Sequence, residues 1–306
     1  MTQIASILIR RLSNARVATG AMMAVLGAMA ATPTAAESLL QYGLQDRDVA
    51  RMVSLGGSCN RCELSGRDLT GAAFHGATFV NATLVGTNLR GAELMGSNFS
   101  GSDFSRADMG GATLIGANFT GANFTGASLA GVDASGATLV RARLTNADLS
   151  GAELVSVNFN GAMLNGADLS GAEMVAVTLA NVSARGTDFS GADISMSNLS
   201  NGDFQTADFS DATLNGARLT GGNFSRADFE DAEMNRTDIR GADLSRARGL
   251  SQAQIGRACG DASTRLPGNL TARTCRGVRS VRVAPPTPPV PPVPPRVRNI
   301  VVAGGN

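Results

Sequence analysis

The sequence predicts an all-β fold, a chain wound into a solenoid of short extended segments, and three observations predict it. From Cys62 to Gly241 a five-residue period runs without an insertion or a deletion. Every fifth residue from Leu64 to Leu244 is large and apolar: 35 of 37 are Leu, Phe, Met or Ile, and the exceptions are Ala134 and Ala184. Two before each of these, 23 of 37 residues are Ala and nearly all the rest are Gly, Ser, Thr or Val, and the residue two after it is Gly in 22 of 37. A period of five fits neither the 3.6 of a helix nor the 2 of a long strand, so an ordinary succession of helices and strands is excluded.

Each unit then has a local reading. The small and the large residue are two apart, which puts both side chains on one face of a short extended segment. The Gly two residues further on sits at a corner, where it permits backbone angles that a Cβ resists. The chain therefore turns once per unit and coils. The two exceptions fit an inward pair, because Val132 precedes Ala134 and Val182 precedes Ala184. The small site enlarges where the large one shrinks, and core volume is kept nearly constant.

The units Ala147-Asp148-Leu149, Ala167-Asp168-Leu169 and Ala242-Asp243-Leu244 resemble the consensus of the pentapeptide-repeat family, over residues 62–247. The resemblance implies a right-handed quadrilateral β-helix with four pentapeptides per coil and the large residue inside. The 37 units then make about nine coils, roughly 43 Å long at a strand spacing of about 4.8 Å. Folded at 20 residues per coil, Phe79, Phe99 and Phe119 fall in one column and Phe189, Phe209 and Phe229 in another, a core ladder of stacked rings.

Residues 1–36 carry Arg10, Arg11 and Arg16, an apolar stretch from Ala21 to Ala31, and Thr34-Ala35-Ala36 before Glu37. This pattern predicts a secretory signal peptide cleaved after Ala36; the alternative is a membrane anchor. The Arg pair resembles a twin-arginine signal weakly, since Ile9 and Leu12-Ser13 depart from that pattern. No transmembrane span is expected once the leader is removed. Residues 37–61 read as an N-terminal cap, because an open solenoid end exposes core and unpaired backbone, and Leu40, Leu44, Met52 and Val53 among the charges of residues 37–54 fit a short amphipathic helix there. Residues 248–276 read as the C-terminal cap, opened by a short helix in Ser251–Cys259, whose Leu250-Ser251-Gln252-Ala253-Gln254 phrase resembles the exit of many bacterial family members. Residues 277–306, with Pro288-Pro289-Val290-Pro291-Pro292, read as an Arg/Pro-rich disordered tail.

Four cysteines in an exported chain point to two disulfides. With Cys59 and Cys62 at one end of the implied solenoid and Cys259 and Cys275 at the other, bridges within each pair are the pairings left, because bridged Cα atoms lie within about 7 Å. Cys59-Asn60-Arg61-Cys62 also has the spacing of a redox or zinc motif. No second Cys pair or His lies nearby, and Glu63 stands where c-type haem attachment needs His. The structural disulfide is the favoured reading, and no metal or cofactor is expected.

Catalysis has little to work with: one His, one Tyr, no Trp, and every one of the 26 basic residues an Arg. His75 is expected to point outward as a solvated residue, and no catalytic set is expected. Charge divides by region. Residues 62–247 hold 21 acidic residues and 11 Arg, a formal −10, whereas residues 248–306 hold nine Arg and one Asp, a formal +8. The acids line up in two columns, Asp148, Asp168, Asp188, Asp208 and Asp228 on one side and Glu153, Glu173 and Asp193 on the next. A third side reads Asn98, Asn118, Thr138, Asn158, Thr178 and Asn198. These are interchangeable surface residues on one view and regularly spaced acidic binding faces on the other.

The function that follows is a non-catalytic exported scaffold or protein-interaction rod in the cell envelope, periplasmic or secreted, whose partner is an unidentified protein or envelope component. No nucleic acid partner is expected, and a solenoid end offers a surface for oligomerisation. The resemblance also implies an alternative, a DNA-mimic binder of DNA gyrase of the quinolone-resistance type, which the leader, the cysteines and the Arg-rich tail disfavour. An enzyme is the third and weakest alternative.

Overall fold

The computed structural model describes residues 57–275. Two compact units divide the chain, Met1–Gln45 and Asp46–Asn306, and every described residue belongs to the second. The leader, nearly all of the N-terminal cap and the Arg/Pro-rich tail lie outside the described residues.

Within 57–275 the chain repeats on itself every 20 residues. Parallel bridges join Asp148 to Asp168 and Asp168 to Asp188, Glu153 to Glu173, Asn158 to Thr178 and Met163 to Ser183, so one coil carries four bridged positions. Each is a single-residue bridge, because a pentapeptide leaves room for only one paired residue between corners. The ladder begins at Ser58, bridged to Thr78, so Cys59 and Cys62 lie in the first bridged coil.

The backbone of one unit accounts for the stack. Leu169 N–H donates to Asp188 O at 2.8 Å, Asp168 N–H to Ala147 O at 2.9 Å and Gly171 N–H to Ser190 O at 2.9 Å, bonds to the coils on either side. Ala172 N–H closes the turn on Leu169 O at 3.2 Å. The N–H of Ser170 is left over, a point that matters for the outer faces.

Every corner from Arg61 to Gly241 is left-handed whatever its residue. Gly166 has φ 66°, Asn181 φ 59° and Arg226 φ 64°, and fourteen non-Gly residues between Asn81 and Arg236 adopt this conformation. An L-residue is disfavoured there by roughly 1–2 kcal/mol. The corners hold because cross-coil bonds fix the chain on both sides of each.

The core is one continuous column of the large residues and their small partners, from Leu64 to Ala258. Val132 with Ala134 and Val182 with Ala184 are all buried. Phe79 stacks on Phe99 at 4.6 Å and Phe99 on Phe119 at 5.6 Å; Phe189 stacks on Phe209 at 4.9 Å and Phe209 on Phe229 at 5.1 Å. A second pair of columns, Phe104 on Phe124 and Phe204 on Phe224, both at 4.9 Å, meets the first at steep angles. Where the small site is Ser or Thr, its buried hydroxyl donates to a backbone carbonyl, of the preceding coil for Thr87 (Leu64 O, 2.9 Å) and Thr187 (Leu164 O, 2.7 Å) and of its own coil for Ser97 (Leu94 O). No buried side-chain N or O among the described residues lacks a partner.

The C-terminal end is closed by α1 (Gln252–Arg257), β1 (Cys259–Gly260) and β2 (Arg273–Thr274). At Gly249 the chain turns onto the last coil with φ 70°, and a Cβ there would overlap the Glu230 backbone nitrogen, so the entry to the cap requires glycine. Helix α1 starts with a capping box between Ser251 and Gln254. The amide of Gln254 then donates to Phe229 O at 2.8 Å and Ala232 O at 3.0 Å, covering carbonyls that no further coil reaches. Ile255, fully buried, plugs the apolar end. Strands β1 and β2 run parallel, and the Cys259–Cys275 disulfide holds them with Cα atoms 4.7 Å apart. Among the described residues no helix is long and apolar enough to cross a membrane.

Candidate functional site

Because the core takes the large and small residues, any site lies on the outer faces. Four of the five N–H groups of a unit bond to backbone, and the fifth, on the residue after the large one, points outward. The residue before the large one answers it. Asp148, Asp168, Asp188 and Asp208 accept from the N–H of Ser150, Ser170, Ser190 and Ser210 at 3.0, 2.9, 2.8 and 2.8 Å. The Ser150 and Ser170 hydroxyls add bonds to the same carboxylate oxygens at 2.7 and 2.6 Å. Asp228 does the same for Glu230 at 3.1 Å and pairs with Arg248 at 3.2 Å. These Asp residues are half-buried turn acceptors, the role for which Asp and Asn are favoured in turns.

The third side does this without charge. Asn98, Asn118, Asn158 and Asn198 accept from Ser100, Thr120, Asn160 and Ser200 at 3.1, 3.0, 3.0 and 3.1 Å. Asn118 also donates to Asn98 at 3.3 Å, one rung along the stack. Thr138 and Thr178 occupy the same bridged column.

The second acidic side behaves differently. Asp193 is held by Ser195 N–H at 3.0 Å, and Glu233, two rungs on, accepts from the Asn215 side chain at 2.8 Å. Glu153 and Glu173 are exposed, and the contact made by Glu153 is a 3.4 Å bond from Ser135. Their following residues are Val155 and Val175, which offer no hydroxyl. Along this side Met95, Ile115, Val155 and Val175 stand in one column beside the acids, interrupted by Ser135, and Met196 stands on its edge, 67% exposed. No Arg pairs with Glu153, Glu173 or Asp193 among the described residues. An apolar strip flanked by carboxylates without a cation is therefore a feature of one side, and the sequence reading missed it. Its signal was present in the column Met95, Ile115, Val155 and Val175, at the residue after the large one.

His75 opens the same side, exposed, with Nε2 2.7 Å from Glu93 Oε2. No Ser or Cys nucleophile joins this pair among the described residues. Cys59 and Cys62 are disulfide-bonded with Cα atoms 5.4 Å apart, and no described cysteine is free. Asp238, Cys259 and Cys275 bring a carboxylate oxygen and two sulfurs within 4.8 Å of one another, but both sulfurs are taken up by the disulfide and are not thiolate ligands. Arg240 beside Asp238 holds that carboxyl below its usual range, chiefly by hydrogen bonding. An open groove of about 540 Å³ between the last coil and α1 is lined by Glu230, Asp231, Glu233, Gln254 and Arg257. Its carboxylates are not grouped for acid–base work, and no buried group converges on it.

The cap has its own carboxylate centre. Asp261 accepts from Ser263 Oγ at 2.7 Å, Gly241 N–H at 3.1 Å, Ser263 N–H at 3.0 Å and Thr264 N–H at 3.1 Å. These bonds, the Ser263 hydroxyl first, lower its carboxyl to about 2.

The family model for pentapeptide repeats matches eight copies here, over residues 58–94, 74–111, 102–139, 142–179, 175–205 and 207–246. The chain belongs to the pentapeptide-repeat family. Its similar solved structures are pentapeptide-repeat proteins or carry a resistance function. HetL, involved in heterocyst differentiation regulation in the cyanobacterium Nostoc sp. strain PCC 7120, is 25% identical over 74% of this chain and 97% of that one, with TM-score 0.34. A trypsin-treated variant of QnrB1, a plasmid-mediated fluoroquinolone resistance protein, is 18% identical over 67% and 92%, with TM-score 0.32. A pentapeptide-repeat protein of the Arabidopsis thaliana thylakoid lumen is 30% identical over 41% and 70%, with TM-score 0.20. No curated protein sequence matches the chain.

Proposed function

We propose that this pentapeptide-repeat protein is a non-catalytic, exported interaction rod of the cell envelope, built on the right-handed quadrilateral coil of its family. The observation that carries the interaction reading is the side where Glu153 and Glu173 stay exposed beside the half-buried Val155 and Val175 instead of serving the coil. A surface that is apolar at its centre and charged at its edge is what protein partners bind. Export is supported by the leader pattern of residues 1–36 and by a disulfide at each end of the solenoid.

The test is to express the full chain in a bacterial host, fractionate it, and measure the mass and free thiols of the envelope form. The expected product begins at Glu37 and has no free thiol. A full-length reduced chain in the cytoplasm that co-purifies with DNA gyrase overturns this reading in favour of the DNA-mimic alternative.

A further inference from the structure

Among the described residues no Arg pairs with Glu153, Asp193 or Glu233 on the Glu side, and the chain carries a cationic, apolar segment of matching spacing. The described structure ends at Cys275, whose N–H donates to Gly260 O at 3.0 Å, while Cys259 bridges Asp238. Asp238 is five residues, a single corner, from Glu233 on the Glu side. The chain thus leaves the solenoid one corner from the carboxylate column, three rungs past Val175, where the apolar strip stops. Residues 276–306 contain five Arg, no acid, and Val and Pro in quantity.

Spacing makes the match specific. Arg276, Arg279 and Arg282 are three apart, and a polyproline II segment has three residues per turn at about 3.1 Å each, so these side chains would project from one edge about 9.3 Å apart. Rungs of the solenoid are about 4.8 Å apart, so every second carboxylate recurs at about 9.6 Å. Glu233, Asp193 and Glu153 are such alternate rungs, running back along the side from the point where the chain leaves. Val278, Val281 and Val283 supply apolar groups between the Arg residues for Val155, Val175 and Met196. Reach is ample, since 31 residues extend to about 100 Å at most whereas four coils span about 19 Å.

We propose that this Glu side is the docking surface for the chain's own residues 276–306, which lie along it in polyproline II form with Arg279 and Arg282 over alternate carboxylate rungs. The contact shields the surface that an outside partner would use, so a partner must compete with the tail. Each exposed ion pair is weak, so the tail exchanges on and off and salt releases it. The inference rests on the Glu side being an interaction face and is independent of where the protein resides.

The chain contains no Trp, so Val283→Trp in the intact chain gives a reporter that no other residue obscures. Acrylamide quenching of this Trp should rise at least about three-fold between roughly 10 mM and 1 M salt, as screening shortens from about 30 to 3 Å. The variant Glu153→Gln/Asp193→Asn/Glu233→Gln should quench freely at low salt. Asp148→Asn/Asp188→Asn/Asp228→Asn, with the same charge change on the other acidic side, should stay protected. One Gly inserted between Arg279 and Ser280 should also abolish protection by breaking the three-residue spacing. Equal quenching in all variants and salts overturns the proposal, as does loss of protection in the Asp-side variant. Protection that appears only as protein concentration rises overturns it in favour of a second copy of the chain.

Discussion

Two adjacent sides of the solenoid carry stacked acids and do different work. On the Asp side, Asp168 and Asp188 hold the outward N–H of Ser170 and Ser190 at 2.9 and 2.8 Å and are half-buried. On the Glu side, Glu153 and Glu173 are exposed and hold no backbone N–H among the described residues. Length alone does not decide this, because Glu63 in the first coil curls back to Ser65 N–H at 3.0 Å. For a Glu, the residue two further on decides. A Ser hydroxyl at that place recruits the carboxylate, as it does for Glu63, whose carboxyl is lowered chiefly by the Ser65 side chain. Val155 and Val175 recruit nothing and leave the acid to solvent. The difference teaches that a Glu in these columns is structural or available according to its neighbour, whereas the shorter Asp holds the outward N–H even beside Gly110 or Glu230.

Inside, the two sides are alike, and the largest predicted effects break both. Leu169 on the Asp side and Met174 on the Glu side are fully buried. Leu169→Asp and Met174→Asp should each cost several kcal/mol, because neither new carboxylate has a partner, and both variants should lose the cooperative melt by circular dichroism. A native-like melting temperature in either would mean that the side it came from is out of phase.

Outside, the sides should separate. Asp188→Ala removes the acceptor of Ser190 N–H and should cost about 1 kcal/mol, whereas Glu173→Ala should stay within about 0.5 kcal/mol. Asp188→Asn should recover most of the loss, since Asn98 serves Ser100 in the same way at 3.1 Å. Urea melts of the three variants check the order. Equal losses for Asp188→Ala and Glu173→Ala would erase the distinction between the sides.

Asp261 extends the Asp role to its limit, one carboxylate serving Gly241, Ser263 and Thr264. Its carboxyl is lowered to about 2, with the Ser263 hydroxyl the largest cause. A depressed folded value means stability that is fully present above the unfolded value of about 3.9 and is lost as pH falls through the folded one. Hydrogen exchange at Gly241 and Thr264 should therefore stay slow above about pH 4 and accelerate toward pH 2, after correction for intrinsic exchange. Asp261→Asn should flatten that local dependence. Dependence unchanged in the variant would assign it to Asp238 and Asp243, whose carboxyls are also lowered, chiefly by Arg240 and Ser245.

The sequence made the coil legible because one physical demand, an inward pair every five residues, repeats 37 times and leaves no other period. It made the corners only partly legible. Gly marks 22 of them, but Arg226, Met196 and Ala176 adopt the same left-handed backbone with no propensity to announce it, since bonds from neighbouring coils impose it. The acidic columns were legible as charge and not as role, because the role needs the leftover N–H, visible only once the other four are assigned. The Ser263–Asp261 centre was hidden for a different reason: the cap leaves the five-residue register, with Asp238 bridged to Cys259 and Asp243 to Arg265 instead of to residues 20 further on.

The smallest predicted effect is the sharpest test of the comparison, a conversion of the Glu side toward the Asp side by Val175→Ser. The new hydroxyl lies two residues after Glu173, the spacing at which Ser65 holds Glu63 and Ser195 holds Asp193, both at 3.0 Å. Two gains follow, a bond from the hydroxyl and one from the backbone N–H at the same position, against the loss of apolar area from a half-buried Val. A half-buried side chain of this size gives up about 1 kcal/mol and two exposed hydrogen bonds return about as much, so stability should change by less than about 0.5 kcal/mol. The surface should change more than the fold. Glu173 would be drawn from solvent onto the backbone, and the strip would lose both an apolar group and a free carboxylate. Quenching of a Trp at position 283 should then rise at low salt although the melt is unmoved. If the melt and the quenching are both unchanged, the neighbour does not govern the carboxylate, and the two acidic sides are one surface.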